Sequence, residues 1–157
     1  MYATPKGYLI LRYMELKINR NLHLVERARQ LDSKKHFNLL NSDLISWLQL
    51  NKISLYCVDQ DYEVDGFNMD FSFYYHPLRT IVLNFSSNYS QPLQPFWGKD
   101  FSLSYNLILV HEIGHFLAYQ NYDLTENGAW FQGLKLSQNL NIFSSELTDW
   151  FLDYFLV

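Results

Sequence analysis

Leu107-Ile108-Leu109-Val110-His111-Glu112-Ile113-Gly114-His115-Phe116-Leu117 is the stretch around which the rest of the chain organises itself. Its two histidines stand four positions apart. On a helix that spacing puts them one turn apart on the same face, about 5–6 Å between Cβ atoms. Both rings can then reach one cation, and imidazole nitrogen is a preferred zinc donor. Glu112 follows the first histidine directly, where a carboxylate can act as the base that takes a proton from an attacking water. The H-E-x-x-H pattern therefore predicts a zinc-dependent hydrolase, with peptide bonds as the expected substrate.

Ser102 or Ser104 can cap this helix, which is expected to run to about Tyr119. Gly114 inside it costs about 1 kcal/mol relative to alanine. A bare α-carbon there would let another element pack close to the metal-binding turn.

Upstream, residues 84–100 are rich in Ser, Asn, Pro and Gly and read as a long loop, a possible cover for a cleft. Before it, Asn68–Tyr75 alternates Met69, Phe71, Phe73 and Tyr75 with smaller or polar neighbours, the period of a half-buried strand. His76-Pro77-Leu78 breaks that run and Arg79–Phe85 reads as the next strand, so 68–85 is expected to form a hairpin. Ile53–Val58 is a further strand, and Asp59–Gly66 holds turn residues. Residues 7–31 carry helical spacing with a weak point at Asn19–Asn21, and a second helix is expected from Ser42 or Asp43 to Leu50. Downstream, Asn121–Gly133 reads as a loop. A last amphipathic helix is expected from Ser144 or Ser145 through Trp150, Phe151 and Phe155.

These elements predict an α+β fold. A small antiparallel sheet of about three strands packs with the H-E-x-x-H helix, a ligand-bearing C-terminal helix and N-terminal helices. Residues 1–51 form the helical segment and 52–157 the zincin-like domain, together one compact unit.

Composition narrows the function classes. Hydrophobic residues make up 48% of the 157 and aromatic ones 18%, which argues for a packed core. The net charge of −4 is spread without a basic run, so direct nucleic-acid binding is disfavoured. Cys57 is the lone cysteine and reads as a small buried residue of a reducing compartment. No secretion signal is evident. The apolar stretch 103–119 carries two histidines and a glutamate, which a membrane span tolerates poorly. A cytoplasmic protein is expected.

A catalytic zinc takes three protein ligands and keeps one position open. No histidine follows His115, so the third ligand is expected among Asp123, Glu126, Glu146, Asp149 and Asp153. Glu146 is favoured, because it falls in the first turn of the expected last helix and leaves room for an antiparallel return. Asp149, one turn later, could be an outer acceptor for a ligand imidazole or the ligand itself. Tyr119, Tyr122 and His76 are candidates for a donor to the developing oxyanion. His23 and His36 read as plain surface residues, and the aromatic groups around Phe71–Tyr75 and Trp150–Phe155 as core.

Thr80-Ile81-Val82-Leu83-Asn84, a variable loop, and then the H-E-x-x-H stretch resemble the ImmA/IrrE metallopeptidases of bacteria, phages and mobile elements. In that family a later helix with an E-x-x-A-D/N-x-F-A pattern supplies a zinc-binding glutamate, and Glu146-Leu147-Thr148-Asp149-Trp150-Phe151 looks like a degenerate version of it. The chain departs from the pattern at Leu152 and Asp153, where alanines are common, and at Tyr119, where a histidine is frequent. The resemblance implies site-specific cleavage of a regulatory protein such as a phage-type repressor. The alternative it implies is a non-catalytic, antirepressor-like protein that binds such a partner around a zinc site. A strand such as Arg79–Phe85, if it lay at a sheet edge, could hold an extended substrate by strand addition.

Overall fold

A computed structural model describes residues 19–86 and 101–156. Its elements are helix α1 through residues 19–31, α2 (Ser42–Leu50), β1 (Ser54–Val58), β2 (Tyr62–Val64), β3 (Phe67–Met69), β4 (Phe73–Tyr75), β5 (Thr80–Asn84), α3 (Phe101–Tyr119), α4 (Glu126–Asn139) and α5 (Ser145–Phe155). The class is α+β. No helix among the described residues is long and apolar enough to cross a membrane.

The main sheet has the order β1-β5-β4, with β1 parallel and β4 antiparallel to β5. It is therefore mixed rather than wholly antiparallel. The chain leaves β1, builds β2, β3 and β4, and only then returns through the middle, which sets β5 alongside β1 in the same direction. The β4–β5 half of the expected hairpin is present, turning through His76–Leu78 with Arg79 left-handed at φ 44°. The stretch 68–75 is not one strand, however. It divides between β3 and β4, and β3 pairs with β2 inside the expected turn region. Asp65 and Gly66, at φ 52° and 79°, supply the two successive positive φ values that a two-residue hairpin needs.

Alternation along the strands gives each sheet face its own core. Cys57, Ile81 and Leu83 point to one side, where they meet Leu44 and Leu48 of α2, Leu109 and Ile113 of α3, Leu134 of α4 and Phe151 of α5. Val58, Tyr75 and Val82 point to the other, which α1 closes with Leu24, Val25 and Ala28 beside Tyr62 and Met69. The segment before residue 52 thus contributes to both faces, and no break in packing falls at 51/52. The part of the expected 7–31 helix before residue 19, and most of the expected loop 84–100, lie outside the described residues.

The cap of α2 sits one step from its expected place. Asn41, not Ser42 or Asp43, caps α2, its side chain accepting the N–H groups of Asp43 and Leu44. Ser102 lies within α3 and donates its hydroxyl to the Leu39 carbonyl at 2.8 Å. Asn106, one turn on, accepts the Asn41 N–H at 2.7 Å and donates to the carbonyls of Leu39 and Ser102. These bonds fix α3 against the start of α2.

Candidate metal centre

α3 is almost wholly buried from Ser104 to Gly114, and its apolar residues surround His111 and Glu112, which are only 6% and 4% exposed. The two histidines lie together on the helix face, ring centroids 4.7 Å apart and nearly perpendicular. His111, Glu112 and His115 each bring a ligand atom within 4.8 Å of the others.

The carboxylate that meets these rings comes from α4. Glu126 Oε2 lies 2.8 Å from His111 Nε2, and Oε1 lies 3.5 Å from His115 Nε2. Glu126 is largely exposed and reaches the histidines from the cleft mouth. The region Asn121–Gly133, expected as a loop, is instead a tight turn followed by this helix. Thr125 caps it, accepting the Gly128 N–H, and Asp123 in turn accepts both the N–H and the hydroxyl of Thr125. Those two bonds from Thr125, side chain first, hold the Asp123 carboxyl below its ordinary range.

Gly133 misled the sequence-based expectation of a loop, whereas Gly114 admits a close-packed element as expected; the two are the contact points of two crossing helices. A Cβ on Gly114 would stand 1.8 Å from the Ala129 carbonyl oxygen, and one on Gly133 would stand 2.2 Å from that of Val110. Glu126, Ala129, Trp130 and Gly133 follow helical spacing on a single face of α4, so the approach that needs the glycines also delivers Glu126 to the histidines.

Glu146 and Asp149 are not brought to this place. Both are exposed, and Glu146 lines a separate hollow with Ser144, Leu147 and Trp150. Ser144 caps α5 as expected, so Glu146 occupies the first turn of a helix whose dipole favours a carboxylate there. What α5 contributes is packing: Phe155 stacks on Trp130 at 3.9 Å, and Trp130 stacks on His111 at 4.0 Å. Sequence reasoning missed Trp130, whose only signal is its place one turn after Glu126.

The residues fit a zinc ion. Ligand atoms around a tetrahedral zinc with bonds near 2.0–2.1 Å stand about 3.3 Å apart, and the nitrogen-to-oxygen distances here bracket that value. The donors are two imidazoles and one carboxylate. Glu112 Oε2 and His111 Nδ1 are buried with no hydrogen-bond partner. An idle carboxylate left so is costly, whereas a working base needs a free oxygen. Burial first, and the Glu126 charge second, push the Glu112 carboxyl well above the ordinary range. The contact with His111 dominates in holding Glu126 below it. Burial and the nearby His111 lower His115, against the pull of Glu126.

A cleft of about 400 Å³ opens over these groups. Phe71, Ser72, Phe73 and Tyr74 form one wall; Tyr119 and Leu124 extend the other. Of the expected oxyanion donors, Tyr119 lines the cleft, His76 packs behind it against Tyr119, and Tyr122 is 94% exposed and outside it. Comparison with protein-family models, with curated proteins and with solved structures finds no match in any of the three.

Proposed function

We propose that the chain is a zinc-dependent peptidase of the ImmA/IrrE-like kind, with His111, His115 and Glu126 as metal ligands and Glu112 as base. One observation carries this reading: both Nε2 atoms converge on a single carboxylate beside a buried Glu112 whose Oε2 has no hydrogen-bond partner, in an open cleft. The E-x-x-A pattern that the resemblance leads one to expect fits Glu126 to Ala129 better than the segment from Glu146, with small Gly133 four residues further on.

When bound, zinc supplies a Lewis acid that polarises a carbonyl and acidifies water. Glu112 takes the proton of the attacking water and returns it to the leaving amine. Burial, and then the Glu126 charge, raise its affinity for a proton. The aromatic walls limit water around the reacting groups. An extended peptide has an edge to join, because β4 is an outer strand whose residues face the cleft. The strand 79–85, considered for that role, is the sheet's centre and both of its sides are taken. The substrate expected from the resemblance is a repressor-like regulatory protein.

Metal analysis and cleavage together test the reading. The purified chain should hold one zinc, lost in His111→Ala. Incubated with a mixture of denatured cellular proteins, it should produce new peptide termini detected by mass spectrometry. Glu112→Gln should keep the zinc and lower cleavage by roughly two to four orders of magnitude. Zinc without cleavage, under every condition tried, would favour the partner-binding alternative instead.

A further inference from the structure

We propose that Tyr74 is the cleft's second electrophile: its phenol, positioned by His76, donates a hydrogen bond to the oxyanion of a peptide carbonyl under attack. The proposal rests on the zinc-peptidase reading above and adds to it a residue from the sheet rather than from the helices.

When a nucleophile adds to a carbonyl carbon, the π-electron pair moves onto oxygen, and a preorganised donor aimed at that oxygen lowers the barrier. Among the described residues no lysine or arginine lines the cleft, and the hydroxyl groups that do belong to Ser72, Tyr74 and Tyr119. Ser72 is only 4% exposed, too enclosed to meet a substrate oxygen, and it accepts the Asn84 N–H at 2.8 Å. Tyr119 lies flat on His76, centroids 4.2 Å apart and 14° between planes, and so serves as the wall that fixes the imidazole.

Tyr74 remains. Its oxygen is 2.8 Å from His76 Nδ1, and its ring meets Phe116 and Tyr119 edge-on at 6.1 and 5.8 Å. Tyr119 follows His115 by four residues, as His115 follows His111, so Tyr74 is clamped against the face of α3 that bears the metal-binding rings. With hydrogen on Nδ1, His76 donates to the phenol oxygen and leaves the phenol hydrogen free for substrate. Burial pushes the Tyr74 hydroxyl up to about 12, so it stays a donor throughout the neutral range. His76 acts only through Tyr74 and is a positioning residue.

The test uses the full chain loaded with zinc and the tetrahedral anion N-phosphoryl-leucinamide, with affinity read by calorimetry. Zinc content and melting temperature are measured first for every variant. Tyr74→Phe should keep its zinc and bind the phosphoryl compound roughly ten- to a hundredfold more weakly, the worth of one hydrogen bond to a charge. His76→Asn, which retains an N–H near the Nδ1 position, should bind within about threefold of wild type, while His76→Phe, which retains only the stacking, should lose as much as Tyr74→Phe. Wild-type affinity in Tyr74→Phe overturns the proposal. So does a zinc-loaded wild type that does not bind the compound. Equal losses in both His76 variants overturn the positioning role. A wild type that holds no zinc overturns the underlying reading, and this is seen before the phosphoryl compound is added. If Tyr74→Phe does not fold, the contrast between the two His76 variants decides alone.

Discussion

Glu126 and Glu146 are chemically identical and both sit in the first turn of a helix, yet only one faces the imidazoles. Glu126→Ala should therefore weaken zinc binding by more than the roughly 10–100-fold that loss of an outer partner costs, while Glu146→Ala leaves it within about twofold, both read by competition with a chelating dye. Acidity gives a second check at this scale. Zinc needs a neutral imidazole, and burial disfavours the charged form of His115, so protons compete for that ligand only below its ordinary value of 6.5. The carboxylate of Glu126, held low by its contact with His111, stays available over the same range. Zinc titrations should show constant affinity from pH 8 to the imidazole range and a fall below it. A fall beginning above pH 7 would contradict the burial argument.

At the scale of elements, the decisive contact is the crossing of α3 and α4. In an open helix, replacing glycine by alanine stabilises by up to about 1 kcal/mol. Here the sign reverses, because the added methyl would meet the backbone oxygen of Ala129. Gly114→Ala should destabilise by about 3 kcal/mol, visible as a drop in melting temperature of about 10 °C. It should also weaken zinc binding, since the same displacement carries Glu126 away from the rings. Gly133→Ala, facing the Val110 carbonyl, should behave alike. The stack Phe155–Trp130–His111 shows the other way elements serve the site: α5 gives no ligand and instead steadies one through an intervening indole.

Across the whole molecule, the mixed sheet separates two cores, and Cys57 is enclosed in the one that also carries α3. Burial drives its thiol up to about 12, so little thiolate exists at neutral pH in the folded chain. Iodoacetamide at pH 8 should modify Cys57 only as fast as the molecule opens, with the rate rising at the same denaturant concentration as the loss of circular dichroism. Rapid labelling of the native protein would show that the sheet face is not sealed as described. The stability held by this neutral thiol is complete below the unfolded value of 9.0 and is lost as pH rises toward 12.

Much of this could be read from the chain directly, and the reason is range. Histidines four apart, the adjacent Glu112 and the serine that caps α5 are local patterns. The backbone geometry of a helix or strand converts them into positions without knowledge of anything distant. The third carboxylate was not legible in that way. Glycines at 128 and 133 look like loop signals in sequence, and five acidic residues beyond His115 were compatible with a metal. Tertiary packing decided between them: two glycines let α4 lie against α3 backbone to backbone, and that contact points Glu126 at the rings while leaving Glu146 in solvent. The direction of β1 was decided likewise, by which strand came to fill the centre of the sheet.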